Sequence, residues 1–373
     1  MSPRKKATAA PRPFLTPEQY ADEQKRRMES TRGRLLIASC RSGAGLAAEA
    51  IESYNRLLQE AGSRERVLVL SGIDANFSDS ETWVRLALHV SGYDVFLFQS
   101  ALDPTSPRSI DQNMMALFIA ARAFREHGAN HVTAVLPYLA YARQDKPTKF
   151  EREPTTARLM ADLAITSGID RLVVWDPHGA HIRGFYGSLP VQMLESLTLF
   201  LGEFRRFAGR SDVIAVAPDE GAAKFIGHFG RALGLPTAIA SKYRPKPEVA
   251  VIKDIIGDFR GKRTAIILDD MISGGGTTYE LSKKLVEKKG IREIHIGISH
   301  NLGLASAKER LEELHRDFHL KRLIVTDSIP QTDEYRRLPF ITIRSLADTL
   351  ARTVNRIHYG RSVSEVFYRP SAN

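Results

Sequence analysis

The segment AIILDDMISGGGTT, residues 265–278, holds the densest chemistry in the chain. Its apolar run predicts a buried strand that ends in two carboxylates, Asp269 and Asp270. Ser273 and three glycines, Gly274, Gly275 and Gly276, follow, and Thr277 and Thr278 open a helix. Glycines let backbone N–H groups approach a phosphate closely, and a helix N-terminus adds about half a positive charge. Threonine hydroxyls add donors. The carboxylates would repel a phosphate, so they suit sugar hydroxyls or a metal. One strand end therefore offers an anion cradle beside hydroxyl acceptors, which matches a sugar phosphate. A glycine-rich turn with two solvated acids is the alternative, and the strand–loop–helix context speaks against it. In VAPDEGAAK (216–224), Asp219 also sits at a strand–helix junction, suited to Mg2+, to ribose hydroxyls or to an N-cap. GAGLAA (43–48) fits a dinucleotide fingerprint, but no clean acid ends the next strand, VLVLSG (67–72). A tight strand–helix turn is the preferred reading there.

These groups need strands to carry them. Short apolar runs recur at 35–39, 67–70, 94–98, 132–136 and 172–175, and again at 213–217, 265–268, 294–298 and 322–326. Amphipathic stretches lie between many of them, at 45–60, 109–127, 155–167, 220–233, 277–289 and 305–316. Continuous apolar strands alternating with helices predict parallel sheets covered on both faces. Ligands in such sheets sit beyond the carboxyl ends of the strands. The pattern predicts an α/β chain of two doubly wound halves, 34–189 and 190–373. A last helix at 344–358 is placed to pack back on the first half. Residues 1–33 form a basic extension: a disordered arm over 1–13, then a short surface helix over 17–30.

The chain has 373 residues and a net charge of +10, and no apolar run is long enough to span a bilayer. Residues 1–34 hold nine Lys/Arg against four Asp/Glu, half of the excess, so charge does not point to nucleic acid. A single cysteine, Cys40, excludes an intrachain disulfide and fits a reducing cytosol. No secretory signal is read at the N-terminus. The expectation is a cytoplasmic protein with neither a membrane nor a nucleic-acid partner.

The 265–278 segment resembles the phosphoribosyl-binding loop of the phosphoribosyltransferase fold, and in particular that of ribose-phosphate diphosphokinases. That family usually has Asp-Thr where this chain has Ser273-Gly274. Further segments resemble the same family in order over about residues 34–367. LPYLAYARQDK (136–146) is similar to its P-Y-x-x-Y-A-R-Q-D segment, which implies ATP contacts for Arg143 and Gln144. Arginine can clamp phosphate and glutamine can pair with adenine. NFSDSETWV (76–84) resembles its F-S-D-G-E loop, so Phe77 is expected to stack on adenine and Asp79 and Glu81 to hold base or ribose; Ser80 replaces a glycine. In VVWDPHGAH (173–181), Asp176 and His178 correspond to the family's D-L-H, and its Asp-containing P-D-x-G falls on Asp219. The resemblance thus implies Mg2+ held by His178, Asp219 and Asp176. The segment SKYRPKPEVAVIKDIIGDFRGK (241–262), basic at its start, resembles the flexible catalytic loop followed by a hairpin, with Lys242 and Arg244 matching and Tyr243 replacing an arginine.

The implied reaction moves the β,γ-diphosphoryl group of ATP to the anomeric hydroxyl of ribose 5-phosphate, leaving AMP. Lys242 and Arg244 would neutralise the transferring group, Asp269 and Asp270 would face the ribose, and residues 273–277 would hold its phosphate. Assembly from dimer to hexamer is implied by the same resemblance. The alternatives are a catalytically silent regulatory relative, which Ser273-Gly274 and Tyr243 allow, and a phosphoribosyltransferase, which the ATP-type segments oppose.

Overall fold

The computed structural model describes residues 28–148, 150–246 and 249–364, and for residues 242–251 the backbone alone. Two mostly parallel sheets stand side by side, each with helices on both faces.

The first sheet begins with the short antiparallel strand β1 (Glu29–Ser30) and β2 (Gly33–Ser39). Of the segment expected as a helix over 17–30, Glu29 and Ser30 form a strand instead, and residues 1–27 lie outside the described residues. Helix α1 (Ala44–Glu60) follows a tight turn in which a Cβ at Gly43 would lie 2.4 Å from the Phe98 carbonyl oxygen. That close approach accounts for this glycine as a packing requirement. The half continues through β3 (Leu68–Ser71), the hairpin β4 (Asp74–Asn76) and β5 (Thr82–Val84), β6 (Tyr93–Phe98), α2 (Ile110–Glu126), β7 (His131–Val135), α3 (Thr156–Thr166), β8 (Arg171–Trp175) and β9 (Val191–Leu194). The sheet order is β1-β2-β6-β7-β8-β9, with β3 also on β2. A reciprocal capping box between Ser109 and Gln112 starts α2.

The second half contains α4 (Leu197–Phe204), β10 (Val213–Ala217), α5 (Ala223–Leu233), β11 (Thr237–Lys246), β12 (Val249–Ile256), β13 (Thr264–Ile272), α6 (Gly276–Lys289), β14 (Glu293–Asn301), α7 (Ala305–Asp317), β15 (Leu320–Thr326), β16 (Ile341–Arg344) and α8 (Ala347–His358). Its order is β12-β11-β10-β13-β14-β15-β16, with β12 antiparallel to β11 and the rest parallel. Strands such as VIAVA at β10 are buried throughout because helices cover both faces.

Two expectations change. A border at 189/190 falls inside the first sheet, because β9 pairs with β8 beyond it. The second half starts with α4, whose Phe200 and Phe204 enter the core of the second sheet. The loop expected from Ser241, ahead of a hairpin, is itself the first strand of that hairpin: Lys242 pairs with Ile252 and Tyr243 with Val251, and only the tip, 247–248, lies outside the described residues. Helix α8 buries Leu350, Ala351 and Val354 with Leu35, Phe96 and Phe98 of the first half. This last helix therefore returns to the sheet on which the chain began.

Candidate functional site

In the second sheet the connections run outward in opposite directions from β10 and β13, which are neighbours. The crevice beyond their carboxyl ends is where an open α/β sheet leaves room for a ligand. Asp219 follows β10, and Asp269 and Asp270 lie on β13, which runs on to Ile272, farther than its apolar run suggests.

Two cavities open here. The larger, about 790 Å³, is lined by Asp145, Lys146, Asp176, His178, His181, Asp219 and Glu220 among others. The smaller, about 410 Å³, is lined by Arg143, the loop from Ser273 to Thr278, Ser306 and Arg310. His178, Asp219, Asp269 and Asp270 border both. Residues predicted from three separate segments therefore meet on one shared wall.

The glycine loop is built as a cradle. Gly275 has φ +75°, the left-handed region, and forms the N-cap of α6 without a side-chain cap. A Cβ there would lie 3.3 Å from the Ala307 Cα, so α7 packs close against the loop. Gly276, Thr277 and Thr278, the first turn of α6, line the smaller cavity, and the free N–H groups of a helix start suit an anion.

The carboxylates are unequal. Burial, then the charges of Asp270 and Asp219, push the Asp269 carboxyl well above the ordinary carboxylate range. Burial acts the same way on Asp270, but the His178 hydrogen bond and charge outweigh it and hold Asp270 low. His178 Nδ1 lies 2.7 Å from Asp270 Oδ2. That bond raises the imidazole's basicity against burial, which lowers it. With Nδ1 engaged, Nε2 is the ring nitrogen left to face a ligand. Asp219 Oδ1 accepts the Ala222 N–H at 3.2 Å, so it also braces the start of α5.

Asp176 is held by hydrogen bonds within the protein. Its Oδ1 accepts the Ser196 N–H at 3.1 Å and its Oδ2 accepts the Ser299 hydroxyl. Burial raises its carboxyl to about 6 against these hydrogen bonds. Its backbone has φ +37°, rare for a residue with a side chain. Beside it, His300 Nε2 lies 3.0 Å from the Trp175 carbonyl oxygen and 3.1 Å from that of Asp176. Ser299 and His300 belong to β14, so a buried polar clamp joins the two sheets next to His178. Sequence reading missed this clamp, because ISHN lies inside a strand.

The other expected residues are spread more widely. Arg143 is exposed and lines the smaller cavity. Gln144 is exposed and lines neither, although its backbone N–H donates to the Tyr141 carbonyl at 2.9 Å. Phe77, Asp79 and Glu81 stand on the β4–β5 hairpin, which also borders neither cavity. Phe77 is 56% exposed, with its ring centroid 6.1 Å from that of Trp83. Asp79 Oδ1 accepts the Glu81 N–H at 3.1 Å, shaping the turn. The backbone carries Lys242 and Arg244 along β11, the strand beside β10. Among the described residues, no group of three His, Cys, Asp or Glu side chains is arranged to hold a metal, and no helix is long and apolar enough to cross a membrane. Arg310, Ser306 and Asp145 were not anticipated. Arg310 sits in AKERLEEL, inside the amphipathic stretch 305–316.

Comparison with known proteins supplies the remaining findings. Residues 50–168 match the family model for the N-terminal domain of ribose phosphate pyrophosphokinase, and residues 223–368 that for the phosphoribosyl synthetase-associated domain. The chain is 37% identical over 291 residues to a ribose-phosphate pyrophosphokinase of Caldanaerobacter subterraneus subsp. tengcongensis, covering 78% of this chain and 88% of that protein. It is 36% identical over 316 residues to one from Clostridium acetobutylicum, covering 84% and 95%. The crystal structure of phosphoribosylpyrophosphate synthetase from Mycobacterium smegmatis superposes with a TM-score of 0.73 at 30% identity, covering 87% of this chain and 98% of that one.

Proposed function

This chain belongs to the ribose-phosphate pyrophosphokinase family, and we propose how its own residues carry out that activity. The chain transfers the β,γ-diphosphoryl group of ATP to the anomeric hydroxyl of ribose 5-phosphate, giving phosphoribosyl diphosphate and AMP. The observation that carries the assignment of residues is the shared wall of the two cavities. The larger takes the triphosphate of ATP and the smaller the sugar phosphate. Their common border is then the place where the anomeric oxygen meets the β-phosphorus.

The 5-phosphate rests on the backbone from Ser273 to Thr277 and on the α6 N-terminus. Asp269 and Asp270 face the ribose hydroxyls. Such a site needs no covalent enzyme intermediate. Positioning two bound reactants is worth roughly 7–11 kcal/mol of the barrier. The bond from the anomeric oxygen to Pβ forms as the bond between Pβ and the bridging oxygen breaks; AMP leaves with that oxygen, and the hydroxyl proton passes to solvent. Lys242 and Arg244, carried on the β11 hairpin, neutralise the diphosphoryl group in flight.

The family uses a metal ion, and Mg2+ suits the carboxylates here and the phosphate oxygens of the nucleotide. His178 Nε2 and Asp219 would hold it, with Asp269 and Asp270 close by, and phosphate oxygens and water would complete its shell. The sparse protein donor set agrees with a hard cation that arrives with its nucleotide. Bound Mg2+ supplies charge neutralisation on the triphosphate. Asp176, already engaged by Ser196 and Ser299, acts here by holding the His178 segment in place.

Arg143 and Gln144 serve the nucleotide. An exposed Phe77 on a hairpin outside both cavities serves adenine when a second copy of the chain brings it there. This reading fits a homo-oligomer, from dimer to hexamer, working in the cytoplasm.

Phosphorus NMR on the protein with ATP, Mg2+ and ribose 5-phosphate tests this. AMP and a sugar-linked diphosphate should appear in equal amounts. ATP that binds and is not consumed would overturn the reading in favour of a silent regulatory subunit, for which Ser273-Gly274 is the motivating departure.

A further inference from the structure

The smaller cavity sets a charge problem. Three carboxylates, Asp219, Asp269 and Asp270, line it, and a phosphomonoester dianion must enter it. The α6 N-terminus offers about half a charge. At Gly274 the loop also lacks the hydroxyl donor that the resembled family's threonine supplies. A cation on the loop side would meet both needs.

Arg310 is placed there. Its guanidinium donates to the Gly274 carbonyl. A Cβ at Gly274 would lie 3.5 Å from Arg310 Nη1 and 3.7 Å from Ser306 Oγ, and one at Gly276 would lie 3.8 Å from Nη1. Glycine at both positions leaves the guanidinium uncovered toward the cradle. The close packing of Ala307 on Gly275 explains how it gets there. Residues three and four apart share a helix face, so Arg310 stands one turn beyond Ser306 and Ala307 on the side of α7 that meets the loop. A guanidinium has five donors in a fixed fork. One donor is spent on the Gly274 carbonyl, which orients the others.

We propose that Arg310, with the Ser306 hydroxyl beside it, binds the phosphate group of the pentose phosphate and forms the wall of the cradle opposite the loop backbone. The inference rests on the pyrophosphokinase reading of this site. It makes recognition of the sugar phosphate in this chain depend on α7 as well as on the glycine loop.

The test is Arg310→Gln, with Arg310→Lys and Ser306→Ala beside it. Removing a charge-assisted phosphate contact should raise KM for ribose 5-phosphate about 10–100-fold, with KM for ATP within about twofold. Arg310→Lys should recover part of the loss, since it keeps the charge and loses the fork. Ser306→Ala should give a smaller rise. Unphosphorylated ribose is the control: its kcat/KM should be the same in wild type and Arg310→Gln. Equal losses with ribose and ribose 5-phosphate would make Arg310 a prop for the loop and overturn the proposal, as would an unchanged KM for ribose 5-phosphate. Calorimetric titration of ribose 5-phosphate into each protein without ATP reads the same contact independently of turnover. If wild type makes no AMP yet binds ribose 5-phosphate more tightly than Arg310→Gln, the activity fails and the phosphate contact stands. Equal binding overturns the contact.

Discussion

The imidazole of His178 and the carboxylate of Asp270 meet at 2.7 Å, although one belongs to the first half of the chain and the other to the second. The pair fixes more than a distance. A carboxylate on Nδ1 keeps the proton there and leaves the Nε2 lone pair for a metal or a phosphate-bound water. An amide in its place can donate to Nδ1 and move the proton to Nε2. Asp270→Asn should therefore reduce turnover at low Mg2+ by about 10–100-fold, the usual effect of losing such an outer partner. Excess Mg2+ should restore part of it. A Mg2+ titration that superposes on that of wild type would show that Asp270 does not orient His178.

Ser80 occupies a place that the resembling family gives to glycine, and its backbone shows why. Its φ is +76°, in the left-handed region. The Asn76 side-chain amide donates to its carbonyl at 2.9 Å and holds the turn in that form. Side chains make this conformation unfavourable by about 1–2 kcal/mol, while glycine gives back part of that as chain entropy. Ser80→Gly should stabilise the protein by about 0.5–1 kcal/mol in urea unfolding. A destabilised variant would contradict this account of the turn.

The final helix is tied to the first sheet by a buried charge cluster. Arg32 Nε and Nη2 each lie 3.1 Å from the Asp94 carboxylate, and His358 Nδ1 lies 2.8 Å from its Oδ2. The Asp94 and His358 side chains are 0% exposed. Asp94→Ala leaves two polar partners uncompensated and should destabilise by about 3–5 kcal/mol. Equilibrium unfolding in urea measures it, and a loss under about 1 kcal/mol would mean that the apolar contacts of Leu350 and Val354 carry the docking alone.

Asp327 gives stability a dependence on pH. Its side chain accepts the Leu346 N–H at 2.8 Å, at the entry to α8. Burial raises its carboxyl to about 6, more than hydrogen bonds from Ser345 and Leu346 lower it. The folded state thus holds this proton more tightly than the unfolded chain, whose carboxyl titrates near 4. The stability it contributes is complete below about pH 4 and is lost as pH rises through about 6. Two units correspond to about 3 kcal/mol. Asp327→Asn should lie above wild type at pH 7 by about 1–3 kcal/mol and show a flatter profile from pH 4 to 6. Parallel profiles would remove Asp327 from the pH dependence.

The sequence showed the strands that are buried on both faces, because β-branched runs such as VIAVA have no other use. It did not show β9, or the extent of the β11–β12 hairpin, whose polar residues look like loop. The glycine cradle and its two acids were legible, since phosphate chemistry and strand–loop–helix order coincide there. The clamp of Asp176, Ser299 and His300 was not, because its members lie far apart in the chain and only strand packing joins them. Arg310 was hidden for a related reason: its role depends on Gly275 letting α7 approach, which no local pattern records.

Lys242 lies where the second sheet's central strands lead. Ala217, the last residue of β10, pairs with Ile239 of β11, and Lys242 is three residues farther along. Asp219 lies two residues beyond Ala217, so the hairpin leaves the sheet on the side of the cavities. A cation delivered from this strand stabilises the charge that develops as the diphosphoryl group transfers. Lys242→Ala should therefore lower kcat by roughly 10²–10³-fold, the range seen for single preorganised donors. KM for both substrates should change much less, because an interaction made only in the transition state lowers kcat and kcat/KM together. The unfolding free energy in urea should stay within about 0.5 kcal/mol of wild type. Steady-state kinetics beside an unfolding curve decide it. Near wild-type turnover would remove Lys242 from the mechanism and leave the transferring charge to Arg244 and the metal.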